Sequence, residues 1–513
     1  MSKASYLLIL ASVLTVMATD NVGPGSPSEP LRYVGPPLPQ PYASDGGLRL
    51  AVGVQSYQVF RASRLYPELS EGRGWTYNHA PMLTYWKGHF YLEFTSSPKD
   101  ESAWPTQALM TTSPDGRRWT TPEITFPAFD GKAKDGTPIQ SPAYQRMGFY
   151  PAPNGRLLVI SHYGYWSTKA PGTGPGHAVR EIHEDGTLGP IYFIRYGEGW
   201  NASRSFYPDY TASKDAGFVE ACRDLLKDRL VTDQWFESQG GYPPDAYARV
   251  LGDYDPKAQR KALSFFRRQD GTVVGLWKKA WTAISTDDGR TWSKPVQATG
   301  VSRTFAKLWG QRTLDGRFAL LYDPQDQPPG NRWPLAVTTS DDGITFGDML
   351  CVHCEVPLRR YSGNSKNIGP QYLRGIEGPG LPPGQYLWMV YSVNKEDIWI
   401  SKIPVPIAGR VTTPVNDTFN DMELNGDVRG WNIYSPAWAP VRVVGFPSNE
   451  NRSLQLKDAD PFDYARAVRV FPESQTVTAS FKVYPKQNDR GRLEVEILNA
   501  GGKRPVRLVF RCV

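Results

Sequence analysis

Ser285-Thr-Asp-Asp-Gly-Arg-Thr-Trp292 is the stretch that decides the fold. Its Asp-Gly pair stands between two apolar runs, as in a tight β-hairpin. There the glycine takes positive φ and a carboxylate accepts turn amides. The Trp is placed to pack beneath the turn. Two other segments follow the same S-x-D-x-G-x-x-W form. Thr339-Ser-Asp-Asp-Gly-Ile-Thr-Phe346 has Thr for Ser and Phe for Trp, and Thr112-Ser-Pro-Asp-Gly-Arg-Arg-Trp119 carries Pro114 where the first Asp belongs.

The spacing of these hairpins sets the architecture. Trp292 and Phe346 stand 54 positions apart, and Trp119 and Trp292 stand 173 apart, or three steps of about 58 each. A period near 50 residues with four short strands per unit marks a propeller blade. The expectation is an all-β chain: a seven-bladed β-propeller over residues 49–410 and a C-terminal β-sandwich over 416–513. Val477–Tyr484 and Arg492–Ile497 read as strands of the second part. One amphipathic run, Ser213–Lys227, reads as a helix inserted on one face and capped by Ser213. The hairpin Asp residues are structural in this reading, so the chemistry has to come from elsewhere.

Composition narrows the class. The 513 residues include 48 Gly, 45 Pro, 16 Trp, 27 Tyr and 21 Phe, which suits many short strands and tight turns. Aromatic side chains also stack on sugar rings. The net charge of +7 is spread without any Lys/Arg run of five or more, which argues against a nucleic-acid stripe and for an anionic carbohydrate partner. Lys3 followed by the apolar run Tyr6–Val16 reads as a signal peptide ending at Ala18, and residues 19–48 as a Pro/Gly-rich segment. The expected location is therefore secreted, with no membrane span. Cys351-Val-His-Cys354 lacks a second metal-binding half, leaving a local disulfide or two buried thiols.

Propeller sites draw side chains from several blades, so no compact motif is expected, and none of the GxSxG, HExxH or phosphate-loop kinds is present. Among six His, His79 stands before a strand in a polar and aromatic setting, whereas His162 ends an apolar strand and suits a cavity or an internal hydrogen bond. His89 reads as an outer turn, and His177, His183 and His353 read as surface positions. Further clusters are Tyr144–Tyr150, Lys307–Arg312 and Arg360–Ile376, in which cations and polar groups alternate with Gly and Pro.

At these clusters the chain resembles a specific group. Gln145-Arg-Met-Gly-Phe-Tyr150, Trp309-Gly-Gln311, Gly369-Pro-Gln-Tyr-Leu-Arg-Gly-Ile376 and Asn394-Lys-Glu-Asp-Ile-Trp399 look like the propellers that remove L-rhamnose capping D-glucuronate. These are the rhamnose-glucuronate lyases of polysaccharide lyase family 42 and the related α-L-rhamnosidases of glycoside hydrolase family 145. Gln58 stands where the hydrolases have a catalytic His, which points towards the lyase branch. The resemblance implies β-elimination at the caps of arabinogalactan or gum arabic, with His79 and Tyr150 in acid/base roles and Arg146 and Arg204 neutralising the uronate carboxylate. Gln58, Lys307, Gln311, Asn364 and Arg374 would bind the sugar, and a calcium ion would sit in the central channel. A monomer is expected. Two alternatives stay open: a rhamnosidase or sialidase-like exo-glycosidase of the same fold, and a non-catalytic carbohydrate-binding propeller.

Overall fold

Short runs rich in β-branched and aromatic residues, separated by Gly and Asp turns, fold into antiparallel meanders. The computed structural model describes residues 30–511, apart from 71, 102, 144–146, 165–173, 198, 237–261, 303–305, 326–331, 379 and 488–490. The signal-peptide reading and Arg146 lie outside the described residues.

Five blade sheets form among those residues. Blade 1 is Tyr77–Trp86, His89–Ser97, Gln107–Ser113 and Glu123–Phe126. Blade 2 is Gly148–Pro151, Leu157–Tyr163, Gly176–Ile182 and Tyr192–Tyr196. Blade 3 is Ser264–Arg267, Val273–Trp277, Trp281–Ser285 and Val296–Gln297. Blade 4 is Trp309–Arg312, Phe318–Tyr322, Leu335–Ser340 and Thr345–His353, with Arg32–Tyr33 added in parallel. Blade 5 is Pro370–Gly375, Tyr386–Val393 and Asp397–Pro404, and its fourth strand, Gln55–Arg61, comes from the start of the chain. The first strands are innermost, and blade 1 touches blades 2 and 5 through them, as blade 4 touches 3 and 5.

Seven blades are not confirmed, and the reason lies in the spacing. Only two blade steps separate Trp119 from Trp292. They are lengthened by the hairpin Phe129–Lys132/Pro138–Ser141, by helices Ala216–Lys227 and Arg229–Phe236, and by residues 237–261. The longer helix is capped by Asp215 rather than Ser213, its carboxylate accepting from Gly217 N and Phe218 N. The helix buries Phe218, Val219, Ala221, Cys222 and Leu225 against blade 2.

The three hairpins form with small changes of frame. Asp287 accepts the Thr291 amide at 2.8 Å and Ser285 Oγ accepts from Gly289 N at 2.9 Å, with Gly289 at φ 78°. In the other two turns the working pair is one position later. Ser340 and Asp342 hold Gly343 and Thr345, and Ser113 and Asp115 hold Gly116 and Arg118. Pro114 is therefore harmless, because Asp115 takes the carboxylate role. All three turns join third to fourth strands and so share one face of the ring.

The C-terminal region does not stand apart. Trp431–Ser435 pairs in parallel with Gln55–Arg61, and Arg466–Arg469 adds to it, so blade 5 becomes a six-stranded sheet. Met422, Val428, Ile433, Val441 and Val443 share a core with Tyr57, Phe60, Trp388 and Ile398. The rest of the region is two-stranded: Val441–Gly445 with Arg452–Leu456, and Arg492–Ile497 with Val506–Arg511. No closed two-sheet sandwich forms among the described residues, and Val477–Tyr484 takes no strand pairing. Cys351 and Cys354 form a disulfide, and Cys222 is a buried thiol.

Arg61, 2% exposed, joins the two regions by bonding Asp460 at 2.6 Å, with Asp397 at 3.6 Å and Asp463 at 3.9 Å. Removing one side of a buried ion cluster leaves uncompensated charge. Arg61→Ala is expected to lower unfolding free energy by about 3–5 kcal/mol in denaturant titration. A loss well below that would mean the cluster adds little to the join.

Candidate active site

In a four-stranded meander, the start of the first strand and the second-to-third turn lie on one face. The signature hairpins occupy the other. Six residues that obey this rule converge: His79 opening blade 1, Lys278 after the second strand of blade 3, and Lys307 just before blade 4. Arg332 and Lys395 come from the second-to-third turns of blades 4 and 5, and Tyr372 from the first strand of blade 5.

Tyr372 is the hub. It sits at an irregularity between Gln371 and Arg374 and has φ +55°. A bulky residue in the left-handed region is an outlier that costs about 1–3 kcal/mol, and such strain concentrates at functional sites. His79 stands beside a matching break between His79 and Met82. Bulges of this kind re-aim side chains. The two rings meet at 4.2 Å between centroids.

Cations surround that ring. Lys278 Nζ donates to the Tyr372 hydroxyl at 2.7 Å and lies 4.6 Å from the ring centroid. Lys307 Nζ is also at 4.6 Å, Arg332 at 5.5 Å and Lys395 at 5.9 Å. All four are buried. Arg332 also donates to Gln371 Oε1 at 2.9 Å, and Lys395 reaches Glu101 at 3.7 Å. Cation–π contact holds the side chains, but concentrating four positive charges out of water is costly unless an anion shares the space.

The field acts on His79. Burial, followed by Lys395, Arg332, Lys307 and Lys278, holds its ring well below the usual histidine range, so it is neutral. Its Nδ1 pairs with Ser392 Oγ at 2.7 Å, and its Nε2 has no hydrogen-bond partner among the described residues. In the tautomer whose Nδ1–H donates to Ser392 Oγ, Nε2 of the neutral imidazole is a proton acceptor.

Of the residues expected at the site, His79 and Lys307 are brought together here. Arg374 is fully buried two residues beyond Tyr372, between the rings of Trp309 and Trp235 at 5.6 and 5.8 Å. Gln311 accepts from Trp309 Nε1 at 2.7 Å and donates to Ile376 O at 3.3 Å, farther along its strand. Gln58 lies on the outermost propeller strand of blade 5 and accepts from Ala437 N, so it faces the C-terminal region. Tyr150 packs near the inserted helices, where burial and then Asp228 and Asp224 push its hydroxyl up to about 12. Arg204 pairs with Asp135 at 3.3 Å over Trp200, and Asn364 is exposed on a loop.

Two His readings change. His353 and His177 are buried rather than on the surface, His353 bonding Tyr391 OH at 2.7 Å and His177 lying 4.9 Å from the His162 ring. The residues around Tyr372 are cations, unsuited to calcium, which needs oxygen ligands. No group of three or more His, Cys, Asp or Glu able to hold a metal occurs among the described residues. Tyr372 and Lys395 lie within segments singled out in the sequence, but their roles were missed. Lys278 and Arg332 carried no motif at all, and only their position before or after a strand marks them.

Residues 29–246 match the family model described as BT_1020-like, N-terminal beta propeller, and residues 431–512 match the sialidase-like CBM domain. A solved structure titled "Sialidase" is 38% identical with a TM-score of 0.82, covering 93% of this chain. The chain spans 44% of the length of that protein. The NanB sialidase of Streptococcus pneumoniae is 10% identical with a TM-score of 0.40, over 68% of this chain and 71% of its own, too slight a likeness to inform the site. No curated protein matches the chain. By fold it is an all-β protein, a β-propeller similar to that of the 38% identical structure and followed by a region that matches a sialidase-like carbohydrate-binding domain.

Proposed function

We propose that the protein is an exo-acting glycosidase that removes a terminal acidic sugar from a glycan, with Tyr372 as nucleophile. The observation that carries this reading is the strained Tyr372 ringed by Lys278, Lys307, Arg332 and Lys395 against neutral His79. Glycosidases with a tyrosine nucleophile are known among sialidases, and the 38% identical structure bears that title.

The chemistry follows from the arrangement. The sugar carboxylate is held by Arg332, Lys307 and Lys395, whose charge it offsets. With those cations compensated, His79 Nε2 takes the phenol proton of Tyr372. The Tyr372 oxygen then attacks the anomeric carbon, and Lys278 steadies the charge on the phenol oxygen. The carboxylate thus does two jobs, since it anchors the substrate and makes the His79 imidazolium tolerable.

A second reading is β-elimination, with release of rhamnose from rhamnosyl-glucuronate caps of arabinogalactan or gum arabic. It is favoured by the same neutral His79 beside cations that would neutralise a C5 carboxylate. In that chemistry His79 takes the C5 proton and Tyr372 protonates the leaving oxygen. Export, resting on the Tyr6–Val16 run, and a monomeric state belong to the proposal too.

The products separate the two. Aryl glycosides of acidic sugars and gum arabic are incubated with the protein, and released sugar and ultraviolet absorbance are followed together. Hydrolysis is expected to release a saturated acidic sugar. An unsaturated uronate with free rhamnose would replace hydrolysis by elimination, and binding without turnover would leave a carbohydrate-binding propeller.

Tyr372→Phe is expected to lower kcat at least about 10²-fold in a protein that still folds. Full activity in that variant would remove the nucleophile. His79 in the free protein is expected to stay neutral across about pH 5 to 8, where an ordinary histidine titrates. Its ring-nitrogen chemical shifts would report this directly.

A further inference from the structure

Asp323 directly follows the second strand of blade 4, Phe318–Tyr322, and so lies on the face that carries the cations. It is fully buried, and neither carboxyl oxygen has a hydrogen-bond partner among the described residues. Buried carboxyl groups are normally hydrogen-bonded or ion-paired. The cation that acts on Asp323 is Arg332, whose guanidinium also lies 5.5 Å from the Tyr372 ring centroid. Asp323 and Tyr372 thus share Arg332 as a neighbour, and Asp323 and Arg332 both belong to the connection between the second and third strands of blade 4. Burial holds the Asp323 carboxyl well above the usual range despite Arg332, so it keeps its proton.

Glu93 provides the contrast. It too is fully buried with both oxygens unpartnered among the described residues. It lies mid-strand, though, opposite Met82 and Met110 in blade 1, and the charge acting on it is Arg180 of blade 2. Burial alone therefore does not place a carboxyl at the site. Position on the cationic face and a shared Arg332 set Asp323 apart.

We propose that Asp323 is the proton donor to the departing glycosidic oxygen, which completes the hydrolytic reading above and rests on it. As the bond from the anomeric carbon to that oxygen breaks, its electron pair stays on the oxygen and the Asp323 proton moves there. The Tyr372 oxygen bonds to the anomeric carbon and the phenol proton passes to His79. In the second half, water attacks the anomeric carbon and gives its proton to the Asp323 carboxylate. The bond to Tyr372 breaks, its pair returns to the phenol oxygen, and His79 returns the proton. Both groups end as they began.

Leaving groups that need no proton test this role. Asp323→Asn is expected to lose at least about 10²-fold in kcat/KM on an alkyl or sugar glycoside of the acidic sugar, and only a few-fold on its nitrophenyl glycoside. Glu93→Gln is expected to affect both substrates alike. Equal loss on both substrates in a folded Asp323→Asn protein would overturn the proposal. If that variant fails to fold, the wild type still decides, across aryl glycosides of graded leaving-group pKa. A shallow dependence of kcat/KM supports a proton donor, and a steep one overturns it. A wild type that hydrolyses none of these glycosides would overturn the hydrolytic reading itself, and Asp323 with it.

Discussion

One pairing holds the ring together: Gln55–Arg61 against Asp397–Pro404, where the start of the chain supplies the outer strand of the last blade. A meander of blades has no reason to close unless its ends are joined, and an open end leaves a strand edge exposed. Closure by hydrogen bonds across more than 300 positions of chain fixes the blades about one axis. It is also what allows side chains from separate blades to meet. Lys278, Lys307, Arg332, Lys395, His79 and Tyr372 come from four of the five blades, and their common ground exists only in the closed ring.

That common ground is built against local preference. Tyr372, Asn394, Lys395 and Lys279 all take positive φ, and four cations are buried around one aromatic ring. Each departure is costly by itself. The apolar seams between blades, such as Trp309 and Leu373 with Met389 and Tyr391, supply the rigidity that tolerates them. Strain and charge in one place, surrounded by regular packing, support the proposal that the site takes an anion.

How much of this was legible in the sequence depended on range. The hairpin physics is local, so Ser285–Trp292 announced an all-β propeller, and Asp287 does hold the turn. Blade number was not legible, because spacing counts residues and cannot tell a blade from an inserted helix pair. The frame of the weaker hairpins was misjudged for a similar reason: a turn one residue shorter shifts the carboxylate from the expected position to Asp115. At the site, His79 and Lys307 could be singled out by type and setting. Arg332 and Lys278 could not, since nothing in their neighbours distinguishes them until the face of each turn is known. Gln58 was placed by likeness to a motif, and its strand lies at the opposite edge of blade 5 from the one that carries Tyr372.

The continuation of blade 5 into Trp431–Ser435 and Arg466–Arg469 bears on how such a protein can evolve. A C-terminal accessory region is often pictured as a bead on a string, exchangeable at its linker. Here the sheet that begins with the strand of Tyr372 ends inside that region, and the two share the Tyr57–Trp388–Ile433 core. Recombination at the residues between them would cut through a single hydrogen-bonded sheet. The two parts are therefore built as one folding unit, and a change of side-chain volume on one side of the seam is felt on the other.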